Sequence, residues 1–113
     1  MSRAFVNTHC ATLPGAEVSD PWGGGHDAWK VGGKMFAVVG TKDNGVSVKC
    51  PNVDTALLLI DMGRAVRAPY FHASWVLLTW DVPEAEMAER LTTSYTIIRA
   101  TLPKKVQAPL GPL

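Results

Sequence analysis

The chain has 113 residues, of which 47% are hydrophobic and 19% charged, and its formal net charge is +1 at pH 7. This composition predicts one compact soluble domain and excludes a disordered chain, which has too few apolar residues to form a core. The isoelectric point of about 7.8 lies below the value of ~9 above which a dedicated nucleic-acid-binding domain usually falls.

No apolar run is long enough for a membrane-spanning helix, since the run 57–60 is bounded by Asp54 and Asp61. No signal peptide is visible near the start of the sequence, and a cytoplasmic protein without membrane partners is expected. In that compartment Cys10 and Cys50 are expected to be reduced thiols. The Cys and His residues lack the spacing of a metal site, so no metal or cofactor is expected.

The first half of the chain predicts a helix followed by three or four strands. The helix is expected over residues 3–13, and residues 16–28 are rich in turn formers and contain at most one irregular strand. Two apolar runs around a Gly-Gly pair at 32–33 predict a tight hairpin, because its turn needs positive φ at both central residues. This turn pairs Trp29 with Phe36. Residues 46–50 alternate apolar and polar and predict the next strand.

The second half predicts a helix, a hairpin and a last helix. The middle helix is expected to begin at Pro51 and to bury the stripe Val53, Ala56, Leu57 and Ile60. The hairpin combines residues 70–72 with residues 75–80 and turns at Ala73-Ser74.

The final helix is expected to start at Pro83 and to end before Pro103. Its apolar spacing predicts a buried stripe, which consists of Met87, Leu91, Ser94, Tyr95, Ile98 and Leu102. Residues 106–113 contain two prolines and a glycine and are expected to form a flexible tail. The whole pattern predicts a single α+β domain over residues 1–105, with a mainly antiparallel sheet and N-terminal, middle and C-terminal helices.

Several short motifs, in order along nearly the whole chain, resemble the MmcQ/YjbR-like family of small bacterial proteins. They are residues 13–17 (LPGAE), 21–23 (PWG), 29–37 (WKVGGKMFA), 48–50 (VKC), 68–72 (APYFH) with Trp75, 94–95 (SY) and 102–105 (LPKK). The resemblance implies a CyaY-like α+β fold and DNA binding through two β wings, with no catalytic residues. Family members often carry Asn and a basic residue between His72 and Trp75, where this chain has Ala73-Ser74. This departure weakens the DNA-binding interpretation for this chain.

Basic residues in the middle of the chain are the candidate DNA-binding set. They are Lys30, Lys34, Lys42, Lys49, Arg64 and Arg67. If they share one face of the sheet, they would contact phosphates. The alternative is ordinary solubilising charge, with some lysines protecting edge strands.

Aromatic residues form a second candidate set. Trp22, Phe71 and Trp75 are candidates for a stacking or partner surface, and the alternative is that they fill the core. A Cys50–His72 catalytic pair is compatible with the spacing, but nothing around it supports a nucleophile.

The predicted function is therefore weak DNA binding without sequence preference, by a protein that is not an enzyme. The alternative is a non-catalytic module that binds a protein partner or a small ligand.

Overall fold

The computed structural model describes all residues from 1 to 113. In chain order the elements are α1 (Arg3–Cys10), β1 (Glu17–Ser19), β2 (Asp27–Val31), β3 (Lys34–Val39), β4 (Gly45–Lys49), α2 (Val53–Asp61), β5 (Ala65–Arg67), β6 (Trp75–Thr79), α3 (Glu84–Ala100), α4 (Lys104–Gln107) and a 3-10 turn (Ala108–Leu110). The strands form one sheet in the order β1-β2-β3-β4-β6-β5, and every neighbouring pair is antiparallel. The predicted α+β class and antiparallel sheet are confirmed. No helix is long and apolar enough to cross a membrane.

The two faces of the sheet differ in what they contact. Core residues of α1, α2 and α3 cluster with side chains of one face, such as Ala37, Val48 and Val76. Residues that alternate with these lie on the opposite face, which we call the outer face. One row of cross-strand neighbours runs over the outer face from β1 to β5 and consists of Ser19, Ala28, Val38, Ser47, Leu77 and Val66.

The first hairpin turns at Gly32-Gly33, as predicted, and both glycines have positive φ. Next to the turn, β2 and β3 pair in the register that a two-residue turn sets, with Lys30 opposite Met35. A bulge then shifts the register, so that Trp29 faces Ala37 rather than Phe36. The predicted Trp29–Phe36 pairing is therefore wrong, because one extra residue of β3 enters the ladder at this point.

The middle helix buries a different stripe from the one predicted. Asn52 caps α2 by accepting a hydrogen bond from the Thr55 backbone N–H, so the helix starts at Val53, two residues after Pro51. Ala56 is buried, with Leu59 and Ile60 packed against the core, whereas Val53 and Leu57 are exposed. Residues 56–60 are apolar without interruption, so the periodicity of the sequence does not define which face of α2 is buried. Packing against β5 and β6 determines the buried face.

The second hairpin joins β5 to β6, and its first strand is Ala65–Arg67 rather than residues 70–72. Residues 68–74 form the connecting loop, so the turn predicted at Ala73-Ser74 is replaced by a longer connection. Tyr70 has φ of 69° in this loop, which is incompatible with a regular strand.

The last helix buries the predicted stripe, including Met87, Leu91 and Tyr95. After Leu102 the chain turns at Pro103 into α4. Residues 106–113, for which the sequence predicts a flexible tail, contain the end of α4 and the 3-10 turn. Val106 and Leu110 pack against the core because Gly15 and Gly32 present no side chain there.

Candidate nucleic-acid interface

Two of the six candidate basic residues share the outer face of the sheet. Lys30 lies on β2 and Lys49 on β4, two strands away, so about 10 Å separates their backbones. Both alternate with buried neighbours and are half-buried themselves. The cross-strand neighbour of Lys30 on β1 is Glu17, which offsets part of its positive charge.

Lys34 and Lys42 lie at opposite ends of β3. The Lys34 ammonium donates a 3.1 Å hydrogen bond to Oγ1 of Thr101, which caps the end of α3. Lys34 therefore extends toward the helical side of the sheet. Lys42 is exposed in the turn between β3 and β4, far from Lys30 and Lys49 along the strands.

The two arginines lie near the β5 edge of the sheet. The Nε atom of Arg64 is 3.5 Å from Oε2 of Glu86 on α3. That carboxylate oxygen is buried and makes no hydrogen bond, so the contact is an ion pair of poor geometry. Arg67 is exposed and makes no ion pair. The six basic residues therefore do not lie on one continuous surface.

The three candidate aromatic residues also lie at two separate places on the molecule. Phe71 and Trp75 stack with ring centroids 4.6 Å apart and an interplanar angle of 24°. Trp75 is the cross-strand neighbour of Lys49, so this pair lies at the Lys49 end of the sheet. Trp22 lies in the loop between β1 and β2, at the opposite end, where it is 57% exposed and its ring contacts His26 edge-on.

A chain of hydrogen bonds holds the Phe71–Trp75 loop against β4. The Lys49 ammonium donates a 2.6 Å hydrogen bond to the Ser74 hydroxyl, which lies 2.9 Å from Nδ1 of His72. The Ser74 backbone N–H also donates to this nitrogen, at 3.1 Å. His72 Nδ1 is therefore an acceptor, and the hydroxyl donates to it while accepting from Lys49.

This hydrogen-bonded chain orders the loop without presenting a reactive group. Ser74 is only 3% exposed, so its hydroxyl is covered by the residues that it joins. The stacked aromatic pair is thereby fixed beside Lys49, and Phe71 and Trp75 keep part of their surface open to solvent. The arrangement suits contact with a flat ring and a nearby negative charge.

The sequence did not identify Ser74 as part of the site, and it suggested His72 only as a possible metal ligand or as a base for Cys50. The signal for both was local, because a Ser two residues after a His can donate its backbone and side chain to one ring nitrogen. The link to Lys49 was not visible, because it depends on β4 lying beside β6 in the sheet.

Both cysteines are buried free thiols. Burial raises the pKa of Cys10 to about 12. Burial also raises the pKa of Cys50, although Arg90 and Lys49 act in the opposite direction. No three His, Cys, Asp or Glu side chains are grouped closely enough to hold a metal ion.

A shallow depression of about 380 Å³ adjoins Lys30 on the outer face. It is lined by the three residues of β1 and by glycines 15, 32 and 33. Since the acidic residue Glu17 also lines it, the charge of Lys30 is offset and the depression offers an anion no electrostatic advantage.

The fold has a counterpart among solved structures. A crystal structure of Deinococcus radiodurans protein DR2400, with a DUF419 domain, superposes with a TM-score of 0.81 and 21% sequence identity. The match covers 94% of this chain and 85% of that chain. No curated protein matches the sequence. The sequence model of the YjbR family matches residues 11–97, and the chain therefore belongs to the YjbR family.

Proposed function

We propose that this chain is a non-catalytic domain that binds DNA weakly and without sequence preference, through the Lys49 end of the outer sheet face. The stacked pair Phe71–Trp75 beside Lys49 carries the proposal. Lys30, about 10 Å away on the same face, supplies a second positive charge. No residue is assigned a catalytic role.

Single-stranded DNA fits this surface better than a duplex. An aromatic ring stacks on an unpaired base of any sequence, which contributes about 1–3 kcal/mol per base. In a duplex the bases are already stacked on each other, so binding would depend on phosphate contacts alone. The scattered positions of Lys34, Lys42, Arg64 and Arg67 leave few cations for one duplex.

The expected binding is weak and depends on salt. Each phosphate contact on a single strand contributes about −0.7 to the slope of log affinity against log salt. Two lysine contacts therefore predict a slope near −1.4, with affinity in the micromolar range or weaker at physiological salt.

Fluorescence anisotropy of labelled single-stranded and duplex DNA of equal length, at low and physiological salt, tests the proposal. Phe71→Ala and the double substitution Lys30→Gln with Lys49→Gln are expected to weaken single-strand binding. Matched controls are Tyr70→Asn, which removes an exposed aromatic ring one residue away, and the double substitution Lys104→Gln with Lys105→Gln. These controls are expected to leave binding unchanged.

A different outcome supports the alternative module. If no single strand binds even at low salt, where electrostatic attraction is strongest, the DNA-binding proposal is wrong. Equal weakening by the control lysines would mean that net charge, rather than this face, determines binding. After either result, the aromatic pair would be assigned to a protein partner. Phe71→Ala would then abolish binding of that partner, and the binding would not depend on salt.

A further inference from the structure

The middle helix exposes two neighbouring leucines to solvent. Leu57 and Leu58 are each 57% exposed, although Ala56 before them is fully buried. Met62, which follows the helix, is 59% exposed. Large apolar side chains grouped on a surface in this way mark contact sites for other molecules.

An acidic residue lies one turn to either side of this leucine pair. Asp54 and Asp61, together with Leu57, Leu58 and Ile60, line a shallow groove of about 430 Å³. Neither carboxylate makes an ion pair or a hydrogen bond. We call the residues Asp54, Leu57, Leu58 and Asp61 the α2 surface.

The position of Asp61 opposes the stability of its own helix. It is the last residue of α2, where the helix dipole places partial negative charge and an acidic side chain is unfavourable. Asp54, in the first turn, is favourable by the same rule. The stability of α2 therefore does not explain the acidic side chain at position 61.

A second copy of this chain is a poor occupant of the α2 surface. Asp54 and Asp61 are equally distant in sequence from the midpoint of Leu57-Leu58. A twofold antiparallel pairing of α2 centred on the leucines would therefore bring Asp54 of each copy against Asp61 of the other. A parallel pairing would bring each carboxylate against its own counterpart, so both arrangements juxtapose like charges.

We propose that the α2 surface binds a partner protein through an amphipathic helix that carries two apolar anchors flanked by basic side chains. Asp54 and Asp61 are seven positions apart on the helix, which corresponds to about 10.5 Å along the axis. A partner helix with Lys or Arg at the same seven-residue spacing, and Leu-Leu between them, complements both the charge and the apolar surface. This inference does not depend on DNA binding, since α2 packs near β5 and β6 on the helical side of the sheet.

A synthetic helical peptide with this pattern, Lys-x-x-Leu-Leu-x-x-Lys, is a direct probe. Binding of the fluorescein-labelled peptide to the full chain is measured by anisotropy at low salt. The double substitution Leu57→Ser with Leu58→Ser is expected to weaken binding at least about thirty-fold, because it removes both central anchors. The double substitution Asp54→Asn with Asp61→Asn is expected to weaken it about five-fold, as for two exposed ion pairs.

A charge exchange separates a specific contact from general attraction. A peptide with Glu in place of both Lys is expected to bind the variant Asp54→Lys, Asp61→Lys about twenty-five-fold more tightly than the wild type, because attraction and repulsion each change the affinity about five-fold. Urea unfolding of each variant checks that the domain remains folded. The matched control, Glu84→Asn with Glu89→Asn, removes two exposed acids of α3 and is expected to leave binding unchanged.

Three results would overturn the proposal. The first is failure of the wild type to bind the Lys peptide at low salt. The second is equal weakening by the α3 control. The third is a dimer of the free chain in analytical ultracentrifugation that Leu57→Ser with Leu58→Ser dissociates, because the occupant would then be a second copy.

Discussion

The Lys49 ammonium donates a 2.6 Å hydrogen bond to the Ser74 hydroxyl and joins β4 to the loop that precedes β6. The backbone N–H of Cys50 donates to the Ser74 carbonyl oxygen at 2.8 Å, so Ser74 is bound to the same strand end through its side chain and its backbone. These bonds position Phe71 and Trp75 at the proposed interface.

Ser74→Ala removes the side-chain part of this connection. The half-buried Lys49 ammonium and His72 then lose a partner, and we expect the free energy of unfolding to fall by about 1–2 kcal/mol. Urea unfolding followed by tryptophan fluorescence measures the change. The matched control Ser19→Ala, at an exposed position of β1, should change the free energy by less than about 0.5 kcal/mol. An equally small effect of Ser74→Ala would show that the connection contributes nothing to stability.

Alanine at either glycine of the first hairpin should destabilise the domain, and Gly32→Ala should do so more. Gly32 and Gly33 have φ of 56° and 81°, where a side chain costs about 1–2 kcal/mol. A Cβ atom at Gly32 would also lie 2.6 Å from a methyl carbon of the buried Leu102, whereas one at Gly33 meets nothing within 4 Å. Thermal unfolding of the two variants measures the difference. Equal melting temperatures would contradict the contact with Leu102.

Deletion of residues 108–113 should lower the stability of the domain. The deletion removes Leu110 from its contact with the core and the carbonyl oxygen of Gly111 from the guanidinium of Arg99. We expect a loss of about 1–2 kcal/mol, which lowers the melting temperature by several degrees. Deletion of the exposed Leu113 alone is the control. An unchanged melting temperature after the larger deletion would show that the segment is a flexible tail.

The stabilisation that Asp20 contributes to the loop between β1 and β2 should be lost in acid. Hydrogen bonds from the backbone N–H groups of Gly25 and His26 lower the pKa of Asp20 below its ordinary value of 3.8. Because the folded-state pKa is the lower one, the stabilisation is present above the ordinary pKa and is lost as the pH falls through the folded-state value. The difference in unfolding free energy between wild type and Asp20→Ala should therefore disappear at low pH. A difference that is independent of pH would exclude the carboxylate as its source.

The two thiols should react only after unfolding. Burial raises the pKa of both, that of Cys10 to about 12, so little thiolate exists in the folded chain near neutral pH. Between the ordinary pKa of 9.0 and the folded-state pKa of about 12, Cys10 stays protonated in the folded chain but ionises in the unfolded chain. The free energy of unfolding should therefore decrease as the pH rises through that interval. Reaction with a thiol-specific chromogenic disulfide is expected to be slow in buffer and to reach both cysteines in urea. Fast labelling of folded chain would contradict the burial.

Elements with strong local signals were predictable from the sequence. The apolar spacing of α3 identified the buried positions Met87, Leu91 and Tyr95, because a long helix with one apolar stripe has only one way to face a core. The Gly-Gly pair identified the first hairpin, since only glycine accepts both positive φ values without strain. The residue pattern predicted only the α+β class, and the expectation of a CyaY-like fold came from the family resemblance.

Only the tertiary structure decided which residues meet. The apolar run of α2 has no polar side, so packing selected Ala56 for the core and left Leu57 exposed. The aromatic segment 70–72 has the composition of a strand, yet β6 pairs instead with residues 65–67. Strand order and alternation, which are non-local, placed Lys49 beside Trp75 and separated Lys34 from it. A sequence pattern specifies how a segment repeats, whereas the position of each side chain against another segment depends on the assembly of the whole sheet.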